Sequence, residues 1–220
     1  MRKVRVWDLP TRVFHWSLAA CIVGLVVTGE VAGDAMAWHF RLGYATLTLI
    51  VFRLVWGIFG GYWSRFSTFV VAPGKIFRYA RGLRSPEDSI GHNPLGALSV
   101  LALLFFTLAQ ATFGLMSDDE IAASGPLVSK VPGAWVTNAT FLHTEVTKLI
   151  LIALVVLHVI AVLWYRFKKN ENLVGPMLHG DKTLDVDAPN SHDTARTRLL
   201  ALLVLAGSGL LIAALLRWAA

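Results

Sequence analysis

One cysteine, Cys21, occurs in 220 residues. It closes no disulfide within the chain, cannot ligate an iron–sulfur cluster by itself, and cannot form the C-x-x-C-H attachment of a covalent haem. Set within the first apolar run, it reads as a small core residue. Charge is scarce too: 15% of residues are Asp, Glu, Lys or Arg, against roughly a quarter in soluble domains. The net charge is +6, but the basic residues form no soluble basic face, so no nucleic-acid surface is expected. None of the apolar runs alternates with period two, which argues against membrane strands. No internal repeat of fixed period appears.

What remains is apolar. Hydrophobic residues make up 55% of the chain and the mean hydropathy is +0.60. Five runs approach the length of about 20 residues that a bilayer requires: residues 13–28, 39–59, 95–116, 141–164 and 199–216. The last carries no charge. Backbone in hydrocarbon must satisfy its own hydrogen bonds, so these runs are expected to be helices. The N-terminus resembles a signal peptide, with a basic start, an apolar stretch and small residues near VAGDAMA. Its long first region, with Asp8 and Pro10, and the edge residues His15 and Trp16 fit a retained first helix better.

Basic residues set the expected orientation. Arg2, Lys3, Arg5 and Arg12 precede the first span. Arg65, Lys75, Arg78, Arg81 and Arg84 lie between spans two and three, and Arg166, Lys168, Lys169, Lys182, Arg196 and Arg198 between spans four and five. The other two loops hold Glu30 and Asp34, then Asp118, Asp119 and Glu120 against Lys130. The expectation is a membrane protein with its N-terminus in the cytoplasm and its C-terminus outside. Trp7, Trp16, Trp38, Trp56, Trp63, Trp135, Trp164 and Tyr165 cluster at span ends, as interfacial belts do. KIFRYARGLR reads as an amphipathic segment on the lipid headgroups. The outer loop with Gly125, Pro126, Pro132 and Gly133 is expected to be irregular with one short helical turn. The segment ENLVGPMLHGDKTLDVDAPNSHD reads as a mobile linker.

Four of seven histidines lie in or at the edge of spans: His15, His39, His143 and His158. Ionisable groups in a bilayer are costly and usually functional; the plainer alternative is a polar contact between helices. Topology sorts them into two layers, His39 with His143 outside and His15 with His158 inside. On the fourth span two histidines stand fifteen residues apart, about 22 Å of rise and broadly on one side of the helix. Two imidazoles per layer, from different helices, suit a haem with one axial nitrogen on each face. A zinc site lacks a Cys or carboxylate to complete either layer. A proton relay would draw on acids near midspan, and nothing acidic lies deeper than Glu145. His179 and His192 read as solvated.

The segments RVWDLPTRVFHW, HFRLGYATLTLIVFRLVWGIFG, RFSTFV, GHNPLGALSVLALL, LHTEVTKLILIALVVLHVIAVL and KKNENLVGPMLHG, in this order, resemble the prokaryotic di-haem cytochrome b family. That family includes b-type cytochrome subunits of nickel–iron hydrogenases and relatives of bacterial cytochrome b561. The resemblance runs from about residue 5 to 180. It implies an all-α fold: an integral membrane four-helix bundle binding two b haems, with the ligands matching His15, His39, His143 and His158. The fifth span lies outside this pattern. The expected division is therefore a di-haem domain at 1–180 and, at 181–220, a linker with an extra helix that braces the bundle, docks a partner or forms a homodimer through AGSGLL.

Further residues carry weaker readings. Arg12, Arg41 and Arg53 are candidate partners of haem propionates, against snorkelling to headgroups. His92 and Asn93 open the third helix and are candidates for a quinone site near the inner haem; Asn-Pro is also ordinary helix-start chemistry. Gly24, Gly43 and Gly114 suit close approach of haem to backbone or of helix to helix. The expected function is electron transfer between membrane quinone and a periplasmic partner, either a hydrogenase or similar dehydrogenase or a cytochrome c. The competing class is a non-redox membrane anchor or transporter subunit whose histidines only pair helices.

Overall fold

The first long helix begins where its sequence says it should. Asp8 precedes α1 (Leu9–Val31), and its Oδ1 accepts the Thr11 backbone N–H at 2.7 Å. Pro10 falls in the first turn, where its missing N–H costs nothing. This is a computed structural model that describes residues 2–83 and 85–220. Arg84, counted above among the basic residues, lies outside the described residues.

Before α1 runs β1 (Arg2–Arg5). After it come α2 (Met36–Phe59), α3 (Phe66–Phe69), α4 (Pro73–Ala80) and α5 (Pro94–Leu115). The fourth long helix comprises α6 (Gly133–Phe141), a π-helical segment Leu142–Thr147, and α7 (Lys148–Lys168). α8 (Val174–His179), β2 (Asp181–Leu184) and α9 (Ala195–Ala219) complete the chain. Among the described residues, five helices are long and apolar enough to cross a membrane: Leu9–Val31, Gly33–Phe59, Pro94–Leu115, Gly133–Lys168 and Ala195–Ala219. The chain is an all-α, multi-pass membrane protein. Large apolar side chains such as Val23, Leu157, Leu203 and Leu210 are exposed, as a lipid-facing surface requires. The fourth helix outruns the expected 141–164 at both ends because its flanks carry Thr, Asn, Lys and Arg that hydropathy leaves out but helices accept.

Two compact units can be separated. The first comprises Met1–His15, Arg53–Ala102 and Val156–Val204. In it β1 pairs antiparallel with β2, with Arg2 opposite Leu184 and Arg5 opposite Asp181. This short sheet was not expected from the sequence; it lies outside the spans, so the membrane argument against strands is untouched. The segment read as a linker carries this strand and is tied down further. The Ser191 N–H donates to the Arg5 carbonyl at 2.7 Å, Asn190 Oδ1 accepts the Arg5 N–H at 2.7 Å, and Ser191 Oγ donates to the Val6 carbonyl at 2.7 Å. Asp193 receives Arg5 Nη1 and Arg198 Nε, each at 2.8 Å. Gly180, with φ +93°, ends α8 in the left-handed region, and its carbonyl accepts the N–H groups of Val6 and Trp7. A Cβ there would lie 2.7 Å from the Trp7 carbonyl oxygen, so both conformation and space require glycine. Val4, Val6, Trp7, Ile90 and Leu184 form the unit's buried core.

The second unit comprises Trp16–Phe52, Leu103–Val155 and Leu205–Ala220, with Leu47, Leu115 and Ile212 at its centre. A Cβ at Gly24 would meet Leu42 Cδ1 at 2.7 Å, which makes Gly24 a helix-packing residue. At Gly43 a Cβ would meet nothing within 4 Å. Cys21 is half-buried. The loop after α5 is irregular apart from an isolated bridge between Asp118 and Ser124 and one 3-10 turn at Val128–Lys130, as its Gly and Pro content implies.

Candidate functional site

Each unit holds one pair of facing histidines. In the first, His15 of α1 and His158 of α7 have ring centroids 6.3 Å apart and planes at 53°. In the second, His39 of α2 and His143 of the π segment have centroids 6.2 Å apart and planes at 89°. The two layers expected from topology thus correspond to pairs whose rings meet. Among the described residues, no three His, Cys, Asp or Glu side chains gather to hold an ion.

The spacing can be compared with what one metal between two rings demands. A metal–imidazole bond of about 2.0–2.1 Å, plus roughly 1.1 Å from nitrogen to ring centre, sets two trans imidazoles about 6.3 Å apart. Both pairs fit. Ring orientation fits as well in the second unit. His39 Nδ1 lies 3.1 Å from the Leu25 carbonyl and His143 Nδ1 lies 2.9 Å from the Gln110 carbonyl. A carbonyl only accepts, so each Nδ1 carries the proton and each Nε2 keeps its lone pair for a metal. Glycines make room for the rings: a Cβ at Gly29 would lie 3.2 Å from His39 Cε1, and one at Gly114 only 2.8 Å from His143 Cε1.

The other polar candidates differ in their surroundings. Asp8 is fully buried and accepts from Thr11 N, Gly61 N at 2.9 Å, Ser64 Oγ at 3.1 Å and Trp56 Nε1 at 3.3 Å. Arg53 is 2% exposed and stacks its guanidinium over Phe66 at 4.9 Å. Its Nη1 has no hydrogen-bond partner among the described residues. Arg12 donates from Nη1 to the Leu178 carbonyl at 2.6 Å and lies 3.7 Å from Asp193 through Nη2, while its buried Nε has no hydrogen-bond partner among the described residues. Arg41 is exposed and stacks on Trp38 at 5.0 Å. His92 is wedged between Trp7 and Phe69, with centroids at 4.7 and 4.6 Å. Burial, then the charges of Arg53, His15 and His158, push its pKa down to about 3, so it is neutral at physiological pH. Asn93 caps α5 through Oδ1, which accepts Gly96 N–H at 2.7 Å, while its Nδ2 donates to the Tyr165 hydroxyl at 3.0 Å. Tyr79 lies 2.9 Å from the same hydroxyl, which joins α4 to α7.

The profile of the prokaryotic cytochrome b561 family matches residues 6–180. The chain belongs to this family. As a cytochrome b561-type protein it is a helical membrane bundle for electron transfer that uses haem b. Among its relatives is a probable Ni/Fe-hydrogenase B-type cytochrome subunit of Bradyrhizobium diazoefficiens, 26% identical over 81% of this chain and 85% of the relative. A protein of the same description from Rhodobacter capsulatus is 25% identical over 84% of this chain and 83% of its own length. Another, from Azotobacter vinelandii, is 29% identical over 56% of this chain and 60% of the relative. No solved structure is a significant match.

Several residues around the histidines of this cytochrome escaped the sequence reading. Gln110, Trp7, Phe69 and Tyr165 were not connected to any site, and Asp8 served only as an argument against a signal peptide. Gln110 did offer a signal, since an amide inside the run 95–116 needs a partner that the run itself does not supply. A surface cavity of about 620 Å³ is lined by Asp118, Glu120, Thr137, Thr140 and Glu145, and no histidine borders it.

Proposed function

We propose that this cytochrome carries electrons across the bacterial inner membrane through two b haems. His15 and His158 ligate one, and His39 and His143 the other. The observation that carries this reading is the spacing of the two ring pairs, each at the separation that a shared metal requires. The haems supply the redox chemistry; the chain holds them, orients their ligands and excludes water. Arg53, buried with an unfilled Nη1, fits a haem propionate better than Arg41, which is exposed, or Arg12, which keeps an unfilled Nε but whose Nη1 and Nη2 are held by Leu178 and Asp193. The shared di-haem unit is residues 1–180, and residues 181–220 add the strap and a fifth helix; the family match ending at residue 180 supports this division.

In the proposed orientation the N-terminus is cytoplasmic and the His15–His158 haem is the inner one. Quinone binds beside it, near His92 and Asn93, where a neutral imidazole and an amide tied to Tyr165 offer hydrogen-bonding groups for a quinone oxygen. The periplasmic partner is a hydrogenase, and the names of the relatives favour it over a cytochrome c. The test is a dithionite-reduced minus oxidised spectrum of the detergent-purified protein with pyridine haemochrome quantitation. A b-type α-band at about two haems per chain is expected. A colourless protein from haem-replete cells would return the histidines to helix pairing in a non-redox anchor or transporter.

A further inference from the structure

Gln110 and His143 bind each other twice. The His143 ring donates from Nδ1 to the Gln110 backbone carbonyl at 2.9 Å. In return the Gln110 side chain donates from Nε2 to the His143 backbone carbonyl at 3.1 Å. Oε1 of the same amide accepts from the Thr147 hydroxyl, which also lies 2.9 Å from the Leu142 carbonyl. One side chain therefore contacts both ends of the π-helical segment Leu142–Thr147 that carries His143.

The π segment explains why such a contact is needed. Its extra residue breaks the regular i to i−4 ladder and frees backbone carbonyls within the span. Hydrocarbon offers no water to replace the lost partners. Gln110 supplies a side-chain donor at the His143 carbonyl, and its Oε1 takes the Thr147 hydroxyl proton. Relaxation of the segment to an ordinary α-turn would remove one residue of offset and swing His143 by about 100° relative to α7. Gly114 completes the arrangement. It follows Gln110 by one turn, and a Cβ there would lie 2.8 Å from the His143 ring, so glycine leaves the Gln110 carbonyl open to the imidazole.

We propose that Gln110 is a positioning residue for His143: it holds the π segment open, keeps the Nδ1–H directed at the Gln110 carbonyl, and so sets the basicity of Nε2 toward the haem iron. This rests on the proposed ligation of haem by His39 and His143. A hydrogen bond from the distal ring nitrogen makes imidazole a stronger donor, which favours the oxidised metal and lowers its potential.

Potentiometric titration and low-temperature electron paramagnetic resonance of wild type, Q110L, Q110E and T147V test it, with the signal of this haem assigned by its absence from His143→Ala. In Q110L the His39–His143 haem is expected either to be lost or to shift to higher potential with altered low-spin g-values, while the other haem keeps both properties. T147V should show the same shift in smaller measure. Q110E should restore the wild-type signal, because a glutamic acid kept neutral by hydrocarbon can donate and accept in the same places. Q110L with both haems unchanged would overturn the assignment, as would equal damage to both haems or a failure of Q110E to restore. A wild type without haem would overturn the functional reading itself and this inference with it.

Discussion

The His15 and His158 rings face each other at 6.3 Å although 143 positions separate them in the chain. If they hold one haem, removal of either should have the same consequence. His15→Ala and His158→Ala are each expected to reduce the content from about two haems per chain to about one, with the same haem missing. Redox titration of both variants checks this, and loss of different haems would sink the pairing.

Gly114 and Gly133 differ in what a methyl group would touch. At Gly133 it meets nothing within 4 Å, whereas at Gly114 it enters the His143 ring. Gly114→Ala is expected to lose or strongly perturb the His39–His143 haem, and Gly133→Ala to match wild type. Haem content and the reduced spectrum distinguish them.

Asp8 joins α1 to α2 and to the turn after it through buried hydrogen bonds. Asp8→Ala removes the acceptor of all these hydrogen bonds and a buried carboxylate that acts on Arg53. A loss of about 2–4 kcal/mol is expected, read as a lower midpoint in thermal unfolding of the detergent-solubilised protein.

The quinone proposal predicts a separable defect. Tyr165→Phe removes the hydroxyl that Asn93 donates to and leaves all four histidines in place. Haem content should stay at the wild-type level. The value of kcat/KM for a soluble quinone analogue should fall roughly fivefold, the equivalent of about 1 kcal/mol. Unchanged quinone kinetics would place that site elsewhere.

Acid should destabilise the protein in two windows. His92 is neutral when folded, with a pKa of about 3 against 6.5 for the free side chain. The unfolded chain therefore binds an extra proton between these values, and stability falls as pH drops below about 6.5. Asp181 and Asp193 form the second window. Burial raises them, but hydrogen bonds and charges of Arg5, Lys3 and Arg198 prevail and hold both below their ordinary 3.8. Their contribution is present above that value and is lost as pH falls through the lower, folded one. Thermal unfolding from pH 8 to 3 should show both, and His92→Phe should shrink the upper window and leave the lower one unchanged.

Much of the fold was legible because hydrocarbon leaves a chain few choices. Apolar runs of bilayer length have to be helices, so the five spans and the histidines buried in them stood out from composition and spacing alone. The family resemblance rested on the same segments. Tertiary structure was needed wherever a group's role depends on a partner distant in sequence. The strap from residues 181 to 193 looked like polar linker because its strand pairs with residues 2–5, and nothing local announces that pairing. Arg12, Arg41 and Arg53 are alike on the page of sequence; only packing set the first against Leu178 and Asp193, exposed the second, and buried the third over Phe66. Gln110 read as one amide in an apolar helix until the π segment brought the His143 carbonyl opposite it. Sequence determined which residues must leave water, because transfer free energy belongs to each side chain. Tertiary structure decided which polar groups satisfy one another there, because hydrogen bonds depend on directions that no linear spacing encodes.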